Sequence, residues 1–297
     1  LPNHRPAEGA EVSYRGPQLG LFLGKPTGFG TKYTEERRPG KARAVTGADG
    51  TFRLRPVDGA TRLAVVHREG WANVPLTGLP GEPVWLEPWG RIEGVVAIGG
   101  RTWPGAEVHL GSASHAPDQF LMGFDTVADA EGRFVFPQVP GGRLRLSILR
   151  HGDRMGVYSN PTDVTVRAGE TSTVTLGGSG VRVTGRLVPE PADVAVGWNR
   201  SPLQLAPLSP ENAGFSTSVG YGLFCAEDGT FAFEDVAPGS YRLVMELRPP
   251  ARDGGSGPVD ADMMEEVLGR LQRDIRVGDS ADSLDLGVLE IRTTAPR

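Results

Sequence analysis

Cysteine occurs once in the 297 residues, as Cys225. A single thiol closes no intrachain disulfide, and it leaves the redox compartment undecided. Apolar runs are short. The run from Gly94 to Gly100 ends well below the eighteen or so residues of a membrane helix, so no segment is expected to span a bilayer. The start, Leu1-Pro2-Asn3-His4-Arg5, lacks an initiator methionine, a basic n-region and an apolar h-region, and reads as a processed or excised start.

Positive charge is sparse where a polyanion would need it. The formal net charge is −5, and residues 179–297 carry 11 basic against 18 acidic side chains. An acidic C-terminal third repels phosphate backbones, so nucleic acid is not expected as a partner. Basic side chains gather only near the N-terminus, at Lys25, Lys32, Arg37, Arg38, Lys41 and Arg43 beside Phe29 and Tyr33. That mix is compatible with anion or single-strand binding, but Glu35 and Glu36 soften it and the favoured reading is a solvated hairpin loop.

Catalytic signatures are missing as well. No Gly-x-x-x-x-Gly-Lys-Ser/Thr loop occurs, and no serine sits in a Gly-x-Ser-x-Gly elbow. Cys225 follows the apolar pair Leu223-Phe224 and reads as a core thiol, not as a nucleophile. Among five histidines only His109 and His115 are close in sequence; with Asp118 or Asp125 they would form a loop metal site, but their spacing fits no zinc motif. No catalytic residue, metal or cofactor is therefore expected.

What the sequence does have is 42 glycines, 25 prolines and a threefold repeat. Asp49-Gly50-Thr51-Phe52-Arg53-Leu54, Glu131-Gly132-Arg133-Phe134-Val135-Phe136 and Asp228-Gly229-Thr230-Phe231-Ala232-Phe233 follow one template. An acidic residue and a glycine make a tight turn, and the alternation after it sends every second side chain to one face of a strand. A valine follows at Val57, Val139 and Val236, then a second turn, then a second alternating strand with Leu144, Leu146 and Ile148 inward in the middle copy. Tyr241, Leu243, Met245 and Leu247 play this part in the last copy, and Leu63 and Val65 in the first.

Openings and closings repeat too. Pro104-Gly105-Ala106-Glu107-Val108 matches Glu8-Gly9-Ala10-Glu11-Val12, and a strand beginning at Gly90 precedes it, as one beginning at Val181 opens the third copy. The first copy has no such opening strand, so it is either supplied upstream or missing, and an unpaired edge is expected there. Short apolar closing strands are expected at residues 83–86, 173–176 and 286–291. Boundaries near Pro88 and Gly177-Gly178 divide the chain into 1–88, 89–178 and 179–297, with joints short enough to limit bending. Residues 199–223 and 249–275 read as insertions in the third copy. Within the second of these, an aspartate start, Glu265 and Glu266 early and Arg270 and Arg273 late predict a short helix over 260–273.

On these residues the chain resembles the carboxypeptidase regulatory-like domain. The features are the Gly-x-Val opening strand (Gly94-Val95-Val96), the Pro-Gly-Ala-x-Val second strand, the acidic-Gly-x-Phe hairpin, and Val-x-Pro-Gly-x-Tyr-x-Leu from Val236 to Leu243. Gly185-Arg186-Leu187 departs from the first of these. The resemblance implies a tandem array of three small antiparallel Ig- or transthyretin-like β-sandwiches, all-β apart from the one helix. It implies a non-catalytic bacterial module, a spacer or presentation rod whose partners are other domains of the same polypeptide or another protein, placed outside the cytoplasm at the periplasm or cell surface. The zinc signature of the associated peptidases, His-x-x-Glu, is absent, because His67 is followed by Arg68-Glu69-Gly70. Related sandwiches carry lysine isopeptide cross-links, but all three lysines lie in the first copy, so the other two copies form none. The alternative function is carbohydrate binding through loop aromatics. Trp71 and Trp103 are the candidate platforms, where an indole face would pack against a pyranose.

Overall fold

A computed structural model describes residues 1–15, 22–25, 28–30, 43–77, 82–113, 121–153, 156–178, 180–208, 220–251, 267–279 and 282–293. The first copy of the repeat contributes β1 (Glu11–Arg15), β2 (Phe22–Lys25), β3 (Gly28–Gly30), β4 (Arg43–Val45), β5 (Arg62–His67) and β6 (Gly70–Pro75). The second contributes β7 (Gly90–Ile98), β8 (Arg101–Thr102), β9 (Glu107–Ser112), β10 (Leu121–Val127), β11 (Arg133–Val139), β12 (Gly142–His151), β13 (Gly156–Val166) and β14 (Thr171–Gly177). The third contributes β15 (Val181–Glu190), β16 (Pro202–Pro207), β17 (Tyr221–Phe224), β18 (Thr230–Val236), β19 (Gly239–Leu247), β20 (Gly269–Val277) and β21 (Ser283–Arg292).

The protein is all-β, built as paired, mostly antiparallel layers, and the second and third copies share one strand order. In each, the opening strand is central: β7 lies between antiparallel β11 and parallel β14, and β15 between antiparallel β18 and parallel β21. The facing layers are β13-β12-β9-β10 and β20-β19-β16-β17. Ile92, Phe134 and Leu176 from one layer meet Val108, Leu110, Leu146 and Ile148 from the other in one buried cluster. Val183, Phe231, Phe233 and Ile291 meet Leu203, Leu205, Leu243 and Leu247 in the corresponding one. Period-2 alternation aims these side chains inward, and removing them from water drives the two layers together. The stretches 199–223 and 249–275 carry β16, β17 and β20, which take the places of β9, β10 and β13.

The repeated turn is built the same way three times. Gly50, Gly132 and Gly229 have φ of +76°, +78° and +81°, the left-handed region that glycine enters without a Cβ penalty. Their N–H groups donate to Gly47 O, Asp129 O and Ala226 O. An aspartate seals each turn: Asp49 Oδ1 accepts from Thr51 N and Asp228 Oδ1 from Thr230 N. In the second copy Asp129, and not Glu131, does this, accepting from Glu131 N and Arg133 N.

Two expectations fail. The helix over 260–273 is not formed where it is described: Gly269–Val277 is β20, paired along β19 from Gly239↔Val277 to Leu247↔Gly269, and residues 260–266 lie outside the described residues. Ile275 and Val277 alternate into the core, and the open edge of β19 outweighs local helix preference. Among the described residues the one helical element is a single 3-10 turn at Trp198–Arg200.

In the first copy the turn at Gly50 forms but residues 51–57 are not a strand, and 83–86 are not one either; only an isolated bridge links Trp71 to Glu87. The neighbour that would pair them, the counterpart of β7 and β15, is not among the described residues. The remaining sheet, β4-β1-β5-β6, buries Val12, Leu63 and Val65 on one face, together with Leu86. Ala64 and Val66, on the other face of β5, join the core of the second copy. A further tie runs between the copies, because β2 pairs in parallel with β10 and β3 continues from β2, widening that sheet to six strands.

Candidate functional site

The two sequence candidates lie at different places, and both indoles are engaged. Trp71 on β6 stacks on Trp89, with ring centroids 6.3 Å apart and planes 23° from parallel. The Trp89 ring is fixed by its Nε1, which donates to His67 O at 2.8 Å. Gln138 Nε2 donates to Arg68 O across the same joint. Trp103 precedes the Pro104-Gly105 turn, and the Arg150 guanidinium carbon sits 3.8 Å above its ring centroid. Burial lowers the Arg150 pKa to about 10, with Glu234 of the third copy pulling the other way. Trp71, Trp89 and Trp103 are all partly buried against the second core. One face of each candidate indole is thus occupied by Trp89 or by Arg150.

One polar constellation, not visible in the sequence, bridges the second and third copies. It surrounds Glu234 and Asp235, at the end of β18. Asp235 Oδ2 accepts from Gly99 N at 2.9 Å and from Gly178 N at 3.0 Å, so one carboxylate caps the β7-β8 turn and the chain passing between the copies. Asp235 itself has φ +55°, as its neighbour across the joint, buried Asn160, has φ +53°. Asn160 Nδ2 donates to Glu234 O at 3.0 Å, and Arg182 Nε meets Glu234 Oε1 at 2.8 Å. Nearby, the backbones of β13 and β17 press together: a Cβ on Gly222 would lie 2.8 Å from Tyr158 O and 2.9 Å from Val157 Cβ. Asp153 N donates to Asn199 O at 2.9 Å. Charge-assisted bonds to backbone N–H groups are the stronger kind, and two on one oxygen fix both neighbours.

A groove of about 760 Å³ runs beside the 3-10 turn, bordered by Trp198, Asn199, Arg186, Glu227, Asp228 and Cys225. Two of its polar side chains, Asp228 and Arg186, are committed to the fold. Asp228 is held below the usual carboxylate range by the Thr230 hydroxyl and then the Thr230 N–H, and Arg186 Nε donates to Asp228 O. Burial pushes the Cys225 thiol up to about 12, helped by Asp228, which removes the thiolate a nucleophile needs.

Among the described residues no group of three or more His, Cys, Asp and Glu side chains is placed to hold a metal ion. His109 Nδ1 and Asp125 Oδ1 are 2.7 Å apart as cross-strand neighbours on β9 and β10, while His115 and Asp118 lie outside the described residues. Of the basic N-terminal run, Lys32, Arg37, Arg38 and Lys41 also lie outside them. No helix of the described residues is long and apolar enough to cross a membrane.

No family model matches the chain, and no curated protein matches it significantly. Solved structures similar to it include the minor pilin of Streptococcus agalactiae, at 12% identity over 70% of this chain and 98% of that one, with a TM-score of 0.27. The shaft pilin SpaA of Lactobacillus rhamnosus GG is similar at 9% identity over 70% and 99%, with a TM-score of 0.25. A DUF3823 family protein of Bacteroides uniformis is similar at 10% over 64% and 100%, with a TM-score of 0.24.

Proposed function

We propose that the chain is a non-catalytic structural module, a spacer or presentation rod of a larger bacterial polypeptide, whose tandem sandwiches are held at a fixed angle to one another. The observation that carries this reading is the Asp235 carboxylate, shared between Gly99 N and Gly178 N across the joint of the second and third copies. A carrier of loosely strung binding domains would have no use for such a clamp. The partners on this reading are neighbouring domains or another protein, and the placement is extracytoplasmic. Sugar stacking on Trp71 and Trp103 is the weaker reading, since Trp89 and Arg150 already cover one face of each.

The test is a spin-label distance measurement between exposed positions of the two copies, Arg101→Cys and Arg276→Cys. The native Cys225 is buried and resists labelling. A single narrow distance distribution is expected, broadened by Asp235→Ala and by Asn160→Ala. A broad distribution in the parent protein, unchanged by either substitution, would refute the spacer reading.

A further inference from the structure

The hairpin turn between β5 and β6, His67-Arg68-Glu69-Gly70, is held by the second copy at two successive carbonyls. His67 O accepts from Trp89 Nε1 at 2.8 Å, and Arg68 O accepts from Gln138 Nε2 at 2.7 Å. The turn that presents these carbonyls is closed from inside by the His67 ring, because Glu69 N donates to His67 Nδ1 at 3.2 Å. The ring is 8% exposed, so water does not take over that bond when it is lost. A nitrogen that accepts carries no proton, and the neutral ring therefore bears its hydrogen on Nε2.

Protonation reverses the role of that nitrogen. In an imidazolium both ring nitrogens donate, so Nδ1–H and Glu69 N–H become two donors facing one another. The bond that closes the turn is then gone, and its carbonyls are no longer aimed at Trp89 and Gln138. The charges around the ring are mixed. Burial is the largest influence and pushes the His67 pKa down; Arg68 and the Leu1 amine act the same way, while Glu69 and the Glu8 backbone act against it. Of the neighbouring strands, β1 brings Glu11, paired with Val66, and the chain before β7 brings Glu87, bridged to Trp71. The two side chains that bond the turn from the second copy, Trp89 and Gln138, are uncharged.

We propose that the β5-β6 turn is a proton-operated latch between the first and second copies: with His67 neutral it holds the Trp89 and Gln138 donors, and with Nδ1 protonated it releases them. A histidine whose folded value lies below its unfolded value of about 6.5 gives stability that is fully present above 6.5 and is lost as pH falls through the folded value. The latch is thus closed at neutral pH and opens in mild acid. This goes beyond the spacer reading and does not rest on it, because the Asp235 clamp lies at the other joint, between the second and third copies.

The experiment follows hydrogen exchange of the Glu69 amide and the Trp89 indole N–H in the full chain, corrected for its intrinsic pH dependence. Protection at both is expected to hold from pH 8 to pH 7 and to fall about threefold or more by pH 5. The Gly99 amide, bonded to Asp235, is the internal control and should keep its protection. In His67→Asn the side-chain oxygen takes the place of Nδ1 and accepts from the amide two residues on, so protection of Glu69 should be equal at pH 7 and pH 5. Nitrogen NMR of the imidazole tests the same claim without a variant: the ring should be the Nε2–H tautomer at pH 7, and its protonation should coincide with the loss at Trp89. Unchanged protection, an Nδ1–H or charged ring at pH 7, or an equal loss at Gly99 would each overturn the proposal. So would a pH response that survives in His67→Asn, since a carboxylate such as Glu8, Glu11, Glu69 or Glu87 would then be the group that titrates.

Discussion

Substituting Gly94 by alanine is expected to destabilise the second copy by about 2 kcal/mol. The new methyl would lie 2.6 Å from Val174 O and 2.7 Å from Phe134 Cε1, with Phe134 Cζ closer still. Gly94 has an ordinary φ, so the cost is steric. Forcing one carbon into a packed core costs about 1–3 kcal/mol, and the stiffer unfolded chain returns about 0.4–1 kcal/mol of that. The upper part of the range applies because Val174 O belongs to a parallel rung of the sheet and has no rotamer to escape into. Phe134 can yield. Phe134→Leu in the same chain should therefore relieve part of the strain, giving a coupling of about 1 kcal/mol in a double-mutant cycle. Gly105→Ala is the control: its φ is +73° with nothing within 4 Å, so its cost of about 1–2 kcal/mol is conformational and Phe134→Leu should not change it. The assay is urea unfolding followed by tryptophan fluorescence, with Trp89 and Trp103 packed on the same core as reporters. A Gly94→Ala protein within 0.5 kcal/mol of the parent, or strict additivity with Phe134→Leu, would refute the reasoning that the glycine is there to admit the ring.

Two other outcomes follow from the titratable groups. Burial raises the Asp163 carboxyl, but hydrogen bonds and charge from Arg145 and Arg143 outweigh it and hold the pKa below the usual range. A depressed carboxylate contributes stability that is present above its unfolded value near 4 and is lost as pH falls through its folded value. Asp163→Asn should thus cost about 0.2–1 kcal/mol at pH 7, where the pairs are partly exposed, and less the further the pH falls below about 4; an equal loss at pH 7 and at pH 2 would contradict this. Cys225, raised to about 12, should react with a thiol reagent at pH 8 only after denaturant is added, and stoichiometric labelling of the native chain would refute its burial.

The parts of the fold legible in the sequence were those set by local chemistry. An aspartate, a left-handed glycine and alternation after it define the turns at Gly50, Gly132 and Gly229 and the inward phenylalanines without reference to the rest of the chain. What escaped was decided by distant partners. Residues 269–273 carry charges that suit the last turn of a helix, yet the free edge of β19 makes them a strand. Residues 51–57 have the strand pattern, yet among the described residues no strand pairs with them, and a ladder needs both sides. The joint was hidden for the same reason: Asp235 stands 136 residues from Gly99 and 57 from Gly178, and nothing in its neighbours announces a shared acceptor. Trp71 and Trp103 were legible as large aromatics near turns, but Trp89 and Arg150, which cover them, are assigned only by the packing.

The side-by-side, parallel course of β7 and β14 has a mechanical consequence. The polypeptide enters the second sandwich at Gly90 and leaves it at Gly177, and the seven aligned positions from Arg91↔Thr171 to Ala97↔Gly177 lie between those points. Tension drawn along the chain pulls these two strands in opposite directions, so the rungs between them are sheared together instead of being peeled one at a time. β15 and β21 repeat the arrangement in the third copy, which makes the same seam the load-resisting element of both.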